Sequence, residues 1–235
     1  MTGIKRKFVI DNDAGGDDAM AIFLAALFEK YHAGGSKSSL VKTPEITDYF
    51  GKDGLGDSGD VYPDLVPPHT ENAVNALIQL SKTHEAEEYP TAEFNAHMDV
   101  EAYHVVTENA NPEKVTIFPF SQVQKYCNFS REWRINVLGA INTEIIRAQN
   151  KYERISLPRE DRWQALDPAT VALFLRPDLV QEYKYSKNSI ALCGENRGIT
   201  SNSFVDKEDA NVRIAYSVKT EEYRQFLLDL FSNDA

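Results

Sequence analysis

The chain has 235 residues, 42% hydrophobic and 26% charged, the make-up of a globular chain long enough to bury a substantial core. A formal net charge of −11 argues against nucleic acid as a partner, because phosphate backbones are bound by clustered Lys and Arg. Two cysteines, Cys127 and Cys193, are too few for a disulfide framework and imply a reducing compartment. The opening MTGIKRKFVIDND lacks the apolar core of a secretory signal, and no apolar run reaches membrane-spanning length. A cytoplasmic protein without a membrane partner is expected.

In chain order, KFVID is an apolar run that predicts a strand ending at Asp11. A Gly-Gly turn follows, and then DDAMAIFLAALFEKYH, with Ala19, Ile22, Phe23, Ala26 and Leu27 at helical spacing. HAGGSKSS reads as a flexible loop, and residues 41–70, rich in Gly, Pro and Asp, as a long surface loop. ENAVNALIQLSKTH and MDVEAYHVVTEN have helical patterns, with VTIFPF a buried strand after them. REWRINVLGAINTEIIRAQNKY predicts one long amphipathic helix, and DPATVALFL a helix opened by Asp-Pro. EYKYSKNSIAL and NVRIAYSV are late strands, and EEYRQFLLDLF closes with a helix. Alternating strands and helices predict an α/β fold, a mostly parallel open sheet with helices on both faces.

The stretch VIDNDAGGDDAMAI crowds Asp11, Asp13, Asp17 and Asp18 into eight positions. In open parallel sheets, ligands bind at the carboxyl ends of strands beside the following helix, which is where these aspartates fall. Asp17 and Asp18 lie near the predicted helix N-terminus, where the helix dipole favours negative charge. Carboxylates converging on one point repel unless a cation sits between them, and hard oxygen donors select Ca2+ or Mg2+. The competing reading is a solvated acidic turn in which Asp17 and Asp18 cap the helix and Asp13 faces water.

The pattern Asp-x-Asp-x-x-x-Asp-Asp, here DNDAGGDD, resembles the nucleoside hydrolases, which cleave the N-glycosidic bond of ribonucleosides. Haloacid dehalogenase-type phosphatases share Asp-x-Asp but follow it with Thr or Val, where this chain has Ala14 and Gly15. The resemblance continues through YFGKDGLGD (49–57), PTAEFNAHMDVEAYHVV, WQALDPATVALFLRPDL and GENRGITSNSFVDKEDANVRIAYSV. It implies one nucleoside hydrolase-like domain over residues 1–235. It also leads one to expect two stretches that are absent, so the domain reads as shortened near 33–41 and 84–90.

The resemblance further implies a role for each matched residue. Asp13 would be the catalytic general base and, with Asp18 and Asp167, a Ca2+ ligand. Asp17 would accept a hydrogen bond from the ribose 2′-OH, Glu93 and Asn95 would bind the far hydroxyls, and Asp167 would also face the substrate. Asp11 would support the metal site. Some members carry a His just before the late aspartate, able to protonate the departing base; here that position is Leu166, with Tyr126 and Trp163 as alternatives that packing explains as well. The implied activity is Ca2+-dependent hydrolysis of uridine- or inosine-type ribonucleosides. The alternative is a catalytically silent, shortened relative that binds metal or ribose. Many members form homo-oligomers, which the resemblance admits here, although no coiled-coil seam or apolar stripe in the sequence specifies one.

Overall fold

The computed structural model describes residues 16–29, 49, 55–57, 92–164 and 166–232. The predicted first strand with Asp11 and Asp13, the helix predicted from ENAVNALIQLSKTH and both shortened stretches lie outside these residues.

Helices α1 (Gly16–Glu29), α2 (Phe94–Met98) and α3 (Val100–Glu108) precede strand β1 (Thr116–Ile117) and helix α4 (Phe120–Tyr126). Strand β2 (Asn128–Ser130) leads into α5 (Arg131–Trp133), which continues as a π-turn over Arg134–Leu138. Helix α6 (Glu144–Tyr152), strand β3 (Arg162–Gln164) and helix α7 (Leu166–Leu175) come next. Strands β4 (Val180–Ile190), β5 (Thr200–Phe204) and β6 (Val212–Val218) and helix α8 (Thr220–Ser232) complete the order.

The architecture is α/β, as the alternation predicts. The main sheet runs β1-β6-β4-β5. Among the described residues β1 pairs with β6 in parallel, Ile117 opposite Ile214, while β4 is antiparallel to both β6 and β5. Successive side chains of a strand face opposite sides, and neighbours in β6 do so here. Ile214 joins Ile117, Ile190, Val212 and residues of α2 and α3 in one apolar cluster, whereas Ala215 belongs to the larger cluster containing α1, α4, α7 and α8. Helices therefore cover both faces. A second sheet pairs β2 with β3, placing Phe129 opposite Trp163.

Two expectations change. The long helix predicted over residues 131–152 is broken between Leu138 and Glu144. Thr143 is extended and accepts the N–H of Ile146 on its side chain, so a new helix is capped where apolar spacing alone reads straight through. In α1 the fully buried line is Met20, Ala21, Leu24 and Ala25, and Ala19, Ile22, Phe23 and Leu27 are half-buried. The segment is apolar all round, so its periodicity does not choose a face; packing against α7 does.

Candidate active site

α1 and α7 pack on each other through the larger core, and their first turns carry Asp17, Asp18 and Asp167. The three carboxylates are 7%, 5% and 3% exposed, and one oxygen from each lies within 4.8 Å of the other two. Carboxylates are so rarely buried that the burial of three together asks for a cause. Part of it is local, since each sits at a helix N-terminus with its aligned peptide dipoles. The dipoles explain carboxylates at each start, but not why both starts converge. Asp17 and Asp18 are buried and so form no solvated turn, while a capping role at the start of α1 remains compatible with their place in its first turn.

The structure thus brings together two of the first-loop aspartates with Asp167, about 150 positions further along the chain. Glu93 and Asn95 lie at the start of α2. Glu93 caps that helix, its two carboxylate oxygens accepting the N–H groups of Asn95 at 3.1 Å and Ala96 at 2.8 Å. The closing segment GENRGIT docks on the same helix pair. Arg197 donates to both carboxylate oxygens of Glu101 at 2.7 and 2.9 Å, which holds the Glu101 carboxyl below its usual range. Gly198 has φ +88° and would place a Cβ 2.7 Å from His97 Nδ1, so only glycine suits this close approach. The YFGKDGLGD segment is tied to the end of α6, where Arg154 donates to the carbonyls of Gly56 and Asp57.

Sequence reasoning missed a buried polar group behind the carboxylates. Gln149 Nε2 donates to the Gly16 carbonyl at 2.7 Å and to Glu153 Oε1 at 2.9 Å. Glu153 Oε1 also accepts from Trp163 Nε1 at 3.1 Å, and Glu153 Oε2 from Arg134 Nε at 2.7 Å. Nothing in the local pattern marks these residues, because each occupies an ordinary amphipathic position. Trp163 is 6% exposed, stacks with Phe129 and lies tilted against Trp133, so it packs in the core and makes this one side-chain hydrogen bond. Leu166 opens α7 in the core.

A sequence model of the family described as inosine-uridine preferring nucleoside hydrolase matches residues 85–225. The chain belongs to the nucleoside hydrolase family. Solved nucleoside hydrolases share its fold. A plant nucleoside hydrolase superposes with a TM-score of 0.78 at 18% identity, over 98% of this chain and 100% of the other. An inosine-guanosine nucleoside hydrolase gives 0.75 at 17% identity, over 96% and 98%. A purine-preferring ribonucleoside hydrolase from Gardnerella vaginalis gives 0.70 at 14%, over 97% and 98%. No curated protein matches the chain by sequence.

As a nucleoside hydrolase the protein is an enzyme, and family and fold support hydrolysis of the N-glycosidic bond of nucleosides as its reaction. Metal binding is usual in nucleoside hydrolases, and a buried group of three aspartates has the donors for it. No helix among the described residues is long and apolar enough to cross a membrane.

Proposed function

We propose that the protein hydrolyses ribonucleosides of the uridine or inosine type to ribose and free base in a Ca2+-dependent reaction, with residues 1–235 acting as one domain. The observation that carries this reading is the convergence of buried Asp17, Asp18 and Asp167 within 4.8 Å at two helix N-termini. The donor set fits the ion, because it consists of hard carboxylate oxygens without thiolate or imidazole. Asp13, Asp18 and Asp167 would hold the Ca2+, with Asp11 in support. When bound, the ion supplies a Lewis acid that lowers the pKa of a water molecule beside the sugar.

The remaining chemistry belongs to the chain's own residues. Asp13 takes the proton of the attacking water as general base. Asp17 accepts a hydrogen bond from the ribose 2′-OH, Glu93 and Asn95 hold the far hydroxyls, and Asp167 faces the sugar from the other helix. Glu93 can serve both its helix and a ligand, since each carboxylate oxygen has more than one lone pair. The gathered negative charge favours the oxocarbenium-like sugar that develops as the base departs. Leu166 offers no proton, and Trp163 gives its indole N–H to Glu153, so neither side chain protonates the leaving base.

Ribose release from a nucleoside panel tests the reading. Turnover is expected to vanish with chelator and return with Ca2+, and Asp13→Asn should fold normally while losing about 10²-fold or more in kcat. Wild-type protein that releases no ribose from any nucleoside, with Ca2+ supplied, would favour the silent scaffold instead.

A further inference from the structure

The clustered carboxylates belong to two helices that begin far apart in the sequence, so the site depends on the distance between two helix starts. One buried carboxylate reaches toward both. On the α1 side, Gln149 Nε2 bridges the carbonyl of Gly16, the residue before Asp17, to Glu153 Oε1, at 2.7 and 2.9 Å. On the α7 side, the same Glu153 oxygen accepts from Trp163 Nε1 at 3.1 Å, and Trp163 lies on β3, four positions before Asp167. Arg134 fixes Glu153 in turn, with Nε 2.7 Å from Oε2 and Nη1 2.8 Å from Asn150 Oδ1. Gly139 closes the π-turn over the guanidinium, where a Cβ would lie 2.8 Å from Arg134 Nη1.

The four residues that link the two helix starts are buried. Gln149 and Arg134 are 0% exposed, Glu153 4% and Trp163 6%. The Gln149 amide can present only its NH2 here, since both close neighbours are acceptors, and its oxygen has no hydrogen-bond partner among the described residues. A buried ion pair is weak grounds for stability, because apolar side chains of similar volume would often pack as well. What such a network supplies is direction, since charge-assisted hydrogen bonds in a dry interior tolerate little displacement. We propose that Glu153, acting through Gln149 on one side and Trp163 on the other, sets the separation of the α1 and α7 first turns and so positions Asp17, Asp18 and Asp167. These are positioning residues, and the inference rests on the cation-site reading above.

Titration calorimetry of the full chain with CaCl2 tests it in Gln149→Met, Trp163→Phe and the double variant. Each single change should weaken Ca2+ binding about tenfold or more, the range seen when partners that orient metal ligands are removed. The double variant should lose less than the product of the two, since both arms act through one carboxylate. Thr143→Ala, which uncaps α6 without touching the network, should lower the melting temperature and keep Ca2+ affinity within about twofold. Arm variants that bind Ca2+ like wild type, or lose no more affinity than Thr143→Ala, would overturn the proposal. Hydrogen exchange provides a readout without metal, in which Gln149→Met should speed exchange at the start of α1 and leave the middle of α7 protected. If wild type binds no Ca2+, the cation reading fails, and unchanged exchange at the start of α1 would defeat the positioning role as well.

Discussion

Asp18→Asn gives the sharpest test of the carboxylate cluster, because the sign of its effect should depend on the metal. Oxygens of Asp17, Asp18 and Asp167 lie within 4.8 Å of one another. At an effective dielectric of about 20, two unit charges at that distance repel by about 3.5 kcal/mol, so Asp18 with two such neighbours stands in roughly 7 kcal/mol of repulsion. The dipole at the start of α1 offsets about 0.3–2 kcal/mol of this. Relaxation of the neighbours and the other polar contacts of these carboxylates reduce the net further, to the roughly 1–3 kcal/mol common for one residue. The near-isosteric amide removes the repulsion and leaves the packing. Without metal, then, Asp18→Asn should be more stable than wild type by about 1–3 kcal/mol, or roughly 2–12 °C in melting temperature for a chain of this size. With Ca2+ at about a thousand times its Kd, wild type gains about 4.1 kcal/mol, a gain the variant largely forgoes. Thermal melts in chelator and in Ca2+ should therefore rank the two proteins in opposite orders. An Asp18→Asn protein destabilised equally in both conditions would refute the claim that these carboxylates gather around a cation.

Asp17→Ala should raise KM for ribonucleosides and narrow their advantage over 2′-deoxyribonucleosides by about 10-fold or more, as expected for losing a hydrogen bond to a charged group; parallel kinetics on a matched pair of substrates will show whether it does. Glu153→Gln leaves Arg134 buried opposite a neutral partner, their atoms 2.7 Å apart and their side chains 5% and 0% exposed. Breaking such a pair costs about 3–5 kcal/mol, and urea unfolding should show it as a lower midpoint at unchanged slope, with Arg134→Met/Glu153→Met less damaging than Glu153→Gln alone. Burial pushes the Tyr103 hydroxyl from 10.0 up to about 12, against a lowering influence of the nearby Asn188 side chain. A raised phenol pKa stabilises the fold fully below the unfolded value and less as pH rises through the folded one, so stability should decline between about pH 10 and pH 12. The decline should be shallower in Tyr103→Phe, as read from denaturation midpoints across that window.

The helix starts that carry Asp17, Asp18 and Asp167 were legible because their signals are local. The Gly-Gly turn followed by Asp17 and Asp18 announces a helix start with acidic residues in its first turn, and α1 begins at Gly16. Asp-Pro before an apolar run announces a second, and α7 carries Asp167 in its first turn. Strands β4 and β6 were readable from β-branched and aromatic content, whereas β5, TSNSF, has little apolar pattern and is held by pairing with β4. The π-turn after Trp133 was not readable, since apolar spacing continues through it and the break depends on Gly139 closing against Arg134.

By itself the sequence determined which carboxylates could serve and which helix ends would present them, because caps, turns and dipoles act over a few residues. Only the tertiary structure decided that the starts of α1 and α7 meet, which face of an all-apolar α1 is buried, and that Gln149, Glu153, Trp163 and Arg134 stand behind the cluster. Those outcomes depend on contacts between residues more than a hundred positions apart, such as Gln149 with Gly16. A long-range hydrogen bond leaves no periodicity in the chain; it exists only once the apolar faces have packed and excluded the water that would otherwise compete for it.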